Sequence, residues 1–232
     1  MSHPEIIVAL DVPDRSSFHT ALNRLPPECT WVKIGLELFI AEGPAVLEIP
    51  KNMGKSVFLD LKLHDIPRTV ERAVSSALRY GVDLLTVHAC GGEAMLKAAA
   101  HARDQLNSPA RIVAVTVLTS LDASDLEHIG ILRTPAAQVT SMAQLSLTCG
   151  INGVVASVSE AALVARATRP GFLIVTPGIR PAGTDTADQK RVATPSAAVR
   201  AGSTHIVVGR PILDAPDPAA AFRAIREELL KP

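Results

Sequence analysis

An apolar, strand-like run leads into a cluster of charges in the stretch Ser56-Val57-Phe58-Leu59-Asp60-Leu61-Lys62-Leu63-His64-Asp65-Ile66-Pro67-Arg68-Thr69. Successive side chains of a strand point to opposite faces, so Phe58, Asp60 and Lys62 are expected on one face and the intervening leucines on the other. The leucines suit packing against helices, whereas the opposite face carries an ammonium and a carboxylate, with Asp65 one turn later. Charges beside an apolar strand are costly unless they are paired or used. We therefore expect a lysine held between two carboxylates at the mouth of a barrel.

Short apolar runs recur along the whole chain and predict eight strands. They are Ile6–Leu10, Trp31–Ile34, Val57–Leu61, Leu84–Val87, Ile112–Val117, Val154–Ala156, Leu173–Val175 and Ile206–Val208. Several are continuously apolar, as in strands that a parallel sheet buries on both faces. Helical patterns lie between them at Val70–Tyr80, Glu93–Gln105, Ala136–Leu147 and Glu160–Ala167, and a further one, Ala219–Leu230, follows the last strand. Strands alternating with helices predict an α/β fold, a (β/α)8 TIM barrel in a single domain over residues 1–232, with an open six-stranded doubly wound sheet as the alternative.

The composition narrows the classes of partner. A chain of 232 residues with 47% hydrophobic content can bury one sizeable core. Its 23 basic and 23 acidic residues cancel, so no overall field favours nucleic acid or an anionic membrane. No apolar run approaches the roughly 20 residues of a membrane span, and the N-terminus lacks a signal layout. The three cysteines are an odd number without close spacing, which favours a cytoplasmic protein without disulfides or a zinc site.

Polar residues collect where the predicted strands end. In α/β barrels the chemistry lies at the carboxyl ends of the strands. The residues at these ends are Asp11, Lys33, Asp60 with Lys62, His88, Thr119-Ser120, Pro177-Gly178-Ile179-Arg180 and Gly209-Arg210. Their recurrence on so many strands indicates an active site more strongly than any single position does.

Some of these positions also fit purely structural roles. Asp11 fits a cap of the following helix, and Lys33 fits an ion pair with Asp11 or Asp60. His88 fits either a hydrogen-bonded core histidine or a site residue. We interpret His64 as structural, because strand alternation turns it to the other face.

Other positions favour function. Two carboxylates around one lysine leave an excess buried negative charge, which argues against a salt-bridge network of structural use alone. Arg180 and Arg210 fit surface arginines, but positions after strands seven and eight are typical of barrel phosphate sites. Gly209 would let backbone N–H groups approach phosphate oxygens, and Arg210 would supply a fork of donors.

The same segments carry a resemblance to a known family. They are Ala9-Leu10-Asp11, Val32-Lys33-Ile34-Gly35, residues 60–69, Val87-His88-Ala89, Val117-Leu118-Thr119-Ser120, Thr176-Pro177-Gly178-Ile179-Arg180, Gln189 and Val208-Gly209-Arg210-Pro211-Ile212. The pattern Asp60-x-Lys62-x-x-Asp65, followed by Ile66-Pro67 and Thr69, is highly specific. In this order, and over nearly the full length, the chain resembles bacterial orotidine 5′-monophosphate decarboxylases.

The resemblance implies a homodimer of barrels that converts orotidine 5′-monophosphate to uridine 5′-monophosphate (UMP) and CO2, the last step of UMP biosynthesis. It implies no metal and no organic cofactor. It implies catalytic roles for Lys62, Asp60, Asp65 and Lys33, with Lys62 donating the proton to C6. Implied substrate contacts are Asp11, Lys33 and Asp60 at the ribose, Thr119 and Ser120 at the pyrimidine, Arg180, Gln189, Gly209 and Arg210 at the phosphate, together with Ile66 and Pro177. Asp65 and Thr69 would enter the neighbouring subunit's site.

Two other functions remain open at this stage. A metal-dependent sugar-phosphate decarboxylase or epimerase can share the Asp-x-Lys-x-x-Asp pattern but would need a further carboxylate for Mg²⁺. A non-catalytic nucleotide-binding barrel would bind ligand without turnover. Cys90 and Arg68 depart from the residues expected of the resemblance, at positions that carry no chemistry in it.

Overall fold

A computed structural model describes residues 3–181 and 192–230, and within them eight parallel strands close into a barrel. The strands are β1 (Glu5–Ala9), β2 (Trp31–Gly35), β3 (Ser56–Leu63), β4 (Leu84–His88), β5 (Arg111–Val115), β6 (Gly153–Val155), β7 (Leu173–Thr176) and β8 (His205–Val208). Each strand pairs with its sequence neighbours, and β8 closes the barrel on β1. The predicted (β/α)8 barrel is confirmed and the open-sheet alternative is wrong. Predicted strand ends move by at most two residues.

Helices surround the barrel. They are α1 (Arg15–Asn23), α2 (Leu36–Glu42), α3 (Glu48–Asn52), α4 (Pro67–Arg79), α5 (Gly92–Gln105), α6 (Ala123–His128), α7 (Pro135–Thr148), α8 (Val158–Ala167), α9 (Pro195–Ala201), α10 (Arg210–Leu213) and α11 (Pro218–Leu230). The five predicted helices are α4, α5, α7, α8 and α11. The other six are short, and their apolar patterns span too few turns to be recognised. Within residues 3–181 and 192–230, no helix is long and apolar enough to cross a membrane.

Two apolar layers follow from strand alternation. The smaller layer consists of strand residues that fill the barrel interior, among them Ile7, Phe58 and Val175. The larger layer joins the outward-facing strand residues, such as Val8 and Leu59, to the helices. Because apolar side chains fill the barrel interior, a site can form only above them, where the carboxyl ends of the strands meet.

Strand β3 departs from a regular ladder just where its charges begin. Leu59 pairs with Leu85, but the next pair is Leu63 with Val87, so β3 contains a bulge. Lys62 lies inside the bulge with a φ of 50°, in the left-handed region that side chains other than Gly and Asn seldom adopt. The bulge re-aims the Lys62 backbone at the mouth of the barrel.

Candidate active site

A cavity of about 840 Å³ opens at the carboxyl ends of the strands. Its lining includes most of the site residues that the sequence predicts, namely Asp11, Lys33, Asp60, Lys62, Thr119, Ser120, Pro177, Arg180, Gly209 and Arg210. Residues from six strand ends thus meet around one space. Gln189, for which the resemblance implies a contact with the phosphate, lies outside the described residues.

Four charged side chains form an alternating row in this cavity. Lys33 Nζ lies 2.7 Å from Asp11 Oδ1 and 3.5 Å from Asp60 Oδ2. Lys62 Nζ lies 2.8 Å from the same Asp60 oxygen. The order Asp11, Lys33, Asp60, Lys62 places one carboxylate between two ammonium groups and balances the charges. Both ion pairs that the sequence offered for Lys33 are therefore present.

Burial and charge act in opposite directions on the two inner members of the row. Burial alone would raise the pKa of Asp60, but the ammonium groups of Lys33 and Lys62, with hydrogen bonds from Lys62 and Thr86, hold that pKa below its usual 3.8. Burial alone would lower the pKa of Lys33, but Asp60 and Asp11 raise it above 10.5. Both residues are about 7% exposed and stay charged because each has its partners.

Asp65 does not join this row within a single chain. It is exposed, and its Oδ1 accepts a hydrogen bond from its neighbour, the N–H of Ile66, at 2.7 Å. Among the described residues, Lys62 forms its salt bridge with Asp60 alone. The expected lysine between two carboxylates is thus not completed by one chain. Ile66 and Thr69 are also exposed at the start of α4, outside the cavity lining.

Two histidines stack beside the row. The rings of His64 and His88 lie 5.3 Å apart and nearly parallel, and His64 is exposed. Burial, followed by the charges of His64 and Lys62, lowers the pKa of His88 below 6.5, which favours the neutral ring. Its Nδ1 is buried without a hydrogen-bond partner among the described residues.

Another end of the cavity is formed by the segments that follow β7 and β8. The N–H of Arg180 donates to Ala193 O at 2.9 Å, and Arg180 Nη1 donates to Ile179 O at 3.1 Å, which fixes this arginine at the rim. Gly209 and Arg210 line the same end. Two guanidinium groups and a glycine backbone make this end suited to a phosphate.

Some cavity residues carry no sequence signal that was recognised. Ser16, Ser17 and Thr20 reach the lining from α1, a helix outside the predicted set, and Arg24 reaches it from the cap at the end of this helix. Thr86 supports the charged row from β4, where it is a polar residue between the apolar Leu85 and Val87. That polarity is the signal that could have found it.

The carboxylates of the row are already occupied by lysines, so they are poorly placed to hold a cation. Within the part of the chain that the structure describes, no group of three or more His, Cys, Asp or Glu side chains is arranged to hold a metal ion. The arrangement suits a different chemistry, in which an ammonium stabilises a developing negative charge and then donates a proton.

Comparisons with known proteins assign the chain to a family. The model of the "Orotidine 5'-phosphate decarboxylase / HUMPS family" matches residues 4–225. The chain is 52% identical to the orotidine 5′-phosphate decarboxylase of Moorella thermoacetica over 231 residues, covering 97% of this chain and 92% of that protein. It is also 52% identical to the enzyme of the same name from Anaeromyxobacter sp. (strain K), and the match covers 95% of this chain and 96% of that protein.

Solved structures give the same result. The crystal structure of orotidine 5′-phosphate decarboxylase from Lactobacillus acidophilus superposes with a TM-score of 0.86 at 37% identity, covering 99% of this chain and 100% of that one. The family match, the relatives and the shared barrel all span nearly the whole sequence. The chain belongs to the orotidine 5′-phosphate decarboxylase family.

Proposed function

We propose that this chain decarboxylates orotidine 5′-monophosphate to UMP and CO2, with Lys62 as the group that stabilises and protonates C6. The observation that carries the proposal is the row Asp11, Lys33, Asp60 and Lys62 at the cavity. Relatives at about half identity, named for this activity, support the substrate. The reaction is the last step of UMP biosynthesis.

The chemistry explains the need for an ammonium. When the bond between C6 and the carboxylate breaks, its electron pair stays on C6 and CO2 departs. The resulting carbanion lies in the ring plane without a neighbouring π acceptor. The Lys62 ammonium stabilises this charge and transfers a proton to C6, and the neutral amine regains a proton from water.

Repulsion between Asp60 and the substrate carboxylate is too weak to drive the reaction alone. Two unit charges at about 4 Å and an effective dielectric constant near 20 interact by roughly 4 kcal/mol. Enzymes lower barriers by about 8–23 kcal/mol. The remainder comes from carbanion stabilisation by Lys62 and from binding energy of the remote phosphate.

The rest of the cavity would hold the nucleotide. Arg180, Gly209 and Arg210 bind the phosphate, with Gln189 as a further contact outside the described residues. Thr119 and Ser120 meet the pyrimidine, Asp11, Lys33 and Asp60 meet the ribose, and Pro177 is a further contact of the nucleotide. Their place in one lining supports this assignment.

A homodimer would complete the site. Asp65, Ile66 and Thr69 are exposed beside β3, where a second copy could receive them. Ile66 is 67% exposed, which is high for an apolar side chain. In this dimer Asp65 supplies the second carboxylate near Lys62 of the neighbouring subunit.

Mixing two inactive variants tests the shared site. A Lys62→Ala chain mixed with an Asp65→Asn chain forms heterodimers in which one of the two sites has both residues. Random 1:1 assembly then restores about a quarter of the wild-type activity. A chain with both substitutions, mixed with Lys62→Ala, is the matched control and should restore nothing. Heterodimers without recovered activity would show that Asp65 does not act across the interface.

Turnover with a chelator tests the reaction itself. We expect the ultraviolet absorbance of the orotate ring to change as UMP forms, at the same rate with and without excess EDTA, because the proposal requires no metal or cofactor. Turnover of a sugar phosphate only with added Mg²⁺ would favour the metal-dependent alternative. Tight nucleotide binding without conversion would favour the non-catalytic nucleotide-binding barrel.

We also place the enzyme in the cytoplasm, because a reducing compartment suits its three free thiols.

A further inference from the structure

One buried hydroxyl joins the backbone of Lys62 to the carboxylate that its ammonium binds. Thr86 lies on β4 and is fully buried. Its Oγ1 accepts a hydrogen bond from the Lys62 N–H at 2.8 Å and donates one to Asp60 Oδ1 at 3.0 Å. Thr86 does not line the cavity, so it would not touch a substrate there.

The first of these bonds stabilises an unusual backbone. Lys62 and Asn107 are the non-glycine residues of the described ranges with a positive φ, and Asn tolerates that region far better than Lys. The bulge also removes the regular ladder partner of the Lys62 N–H, because pairing resumes only at Leu63. Such a conformation persists only when its surroundings hold it in place, and the Thr86 hydroxyl supplies that hold.

The second bond orients the carboxylate. Because Asp60 Oδ1 is occupied by Thr86, Oδ2 is the oxygen that faces both ammonium groups, at 2.8 Å from Lys62 and 3.5 Å from Lys33. Without the hydroxyl, the carboxylate can rotate and the Lys62 backbone can relax toward an extended conformation. Both changes displace Lys62 Nζ.

We infer that Thr86 is a positioning residue for proton transfer by Lys62, an inference that rests on the proposed role of Lys62. Proton transfer requires donor and acceptor within hydrogen-bond reach, so a small displacement of Nζ slows the chemical step more than it weakens nucleotide binding. Loss of the Thr86 hydroxyl should therefore appear in kcat rather than in KM.

Three substitutions separate positioning from general stability. Thr86→Val keeps the shape and removes the hydroxyl, whereas Thr86→Ser keeps the hydroxyl and removes the methyl group. Thr116→Val is the matched control, because Thr116 is 1% exposed, follows β5, and donates its hydroxyl hydrogen to Val155 O at 2.7 Å without lining the cavity. Thr86→Ala, which removes the hydroxyl without adding bulk, replaces Thr86→Val if that variant is insoluble.

Steady-state kinetics with orotidine 5′-monophosphate test whether Thr86 positions Lys62 for proton transfer. We expect kcat of Thr86→Val to fall by about 100-fold with KM changed less than about threefold, and Thr86→Ser and Thr116→Val to keep kcat within about threefold. Wild-type kcat in Thr86→Val, or an equal loss in Thr116→Val or in Thr86→Ser, would overturn the inference. Lys62→Ala in the same series separates the role of Lys62 from the role of Thr86. Wild-type turnover by Lys62→Ala would refute the role of Lys62. An inactive Lys62→Ala together with a fully active Thr86→Val would refute only the role of Thr86.

Discussion

Replacing Asp60 with Asn should destabilise the fold as well as stop the chemistry. Asp60 is 7% exposed and lies 2.8 Å from Lys62 Nζ and 3.5 Å from Lys33 Nζ. At an effective dielectric constant near 20, these attractions are about 6 and about 5 kcal/mol. Desolvation offsets much of this, but removing one partner of a buried pair costs about 3–5 kcal/mol, because uncompensated charge remains. If the side-chain oxygen of this Asn accepts the hydrogen bond from the Thr86 hydroxyl, its NH₂ group faces both ammonium groups, so donors face donors.

Urea unfolding of Asp60→Asn measures this loss, with fluorescence of Trp31, the single tryptophan, as the signal. Asp104→Asn is the matched control. Asp104 lies 2.7 Å from Arg103 Nη2, as close as the buried pair, but its side chain is 64% exposed. Exposed pairs contribute about 0–1 kcal/mol. If Asp60→Asn loses no more stability at pH 7 than Asp104→Asn, the buried ion pairs of Asp60 contribute no more to stability than an exposed pair does.

The pH dependence has a definite sign. The pKa of Asp60 in the folded state lies below its usual 3.8, so the unfolded state binds the proton more readily. The stabilisation by Asp60 is therefore complete above pH 3.8 and is lost as the pH falls through the folded-state pKa. The stability difference between wild type and Asp60→Asn should shrink over that acid range and stay constant near neutrality. A difference that instead grows on acidification contradicts the assignment of the charges.

Two further variants test other parts of the site by steady-state kinetics. In Gly35→Ala, the new Cβ would lie 2.9 Å from Asp11 Oδ1 and 3.1 Å from Lys33 Nζ, while the φ of −97° at this position leaves the backbone unstrained. Because the methyl group would displace the Asp11–Lys33 ion pair, we expect kcat/KM to fall about tenfold. Unchanged kcat/KM would show that the pair can move without consequence. Arg210→Ala should raise KM by roughly 10- to 100-fold with a smaller change in kcat, because it removes charge-assisted hydrogen bonds to the phosphate. Arg223→Ala, at an exposed pair with Glu28, is its control, and equal effects of the two substitutions would contradict a phosphate role.

The strands were predictable because burial on both faces leaves continuous apolar runs. Val57–Leu61 and Ile206–Val208 carry that signal directly, and the structure extends the first by one residue at its start and two at its end, and the second by one residue at its start. The short helices were not predictable. Helix α10 has four residues and forms after Gly209 in the context of the closed barrel rather than through an apolar period of its own.

The site was predictable to the extent that it follows strand ends. Asp60 and Lys62 were identified because charges after an apolar strand require partners, and the structure supplies them within the row. The role of Thr86 depends on a register shift between β3 and β4, which no local pattern encodes. The exposure of Asp65 likewise depends on how the chain turns after the bulge, so its partner could not be assigned from the residues alone.

Turnover by Lys62→Ala shows whether decarboxylation needs the Lys62 ammonium. Lys97→Ala is the matched control, since Lys97 pairs with Glu93 at 2.6 Å on the exposed face of α5, away from the cavity. Both variants would be assayed with orotidine 5′-monophosphate, with UMP and bound nucleotide measured separately. We expect Lys62→Ala to bind nucleotide but to form no UMP above the uncatalysed rate, while Lys97→Ala matches wild type. Wild-type-like formation of UMP by Lys62→Ala would show that Lys62 does not stabilise and protonate C6.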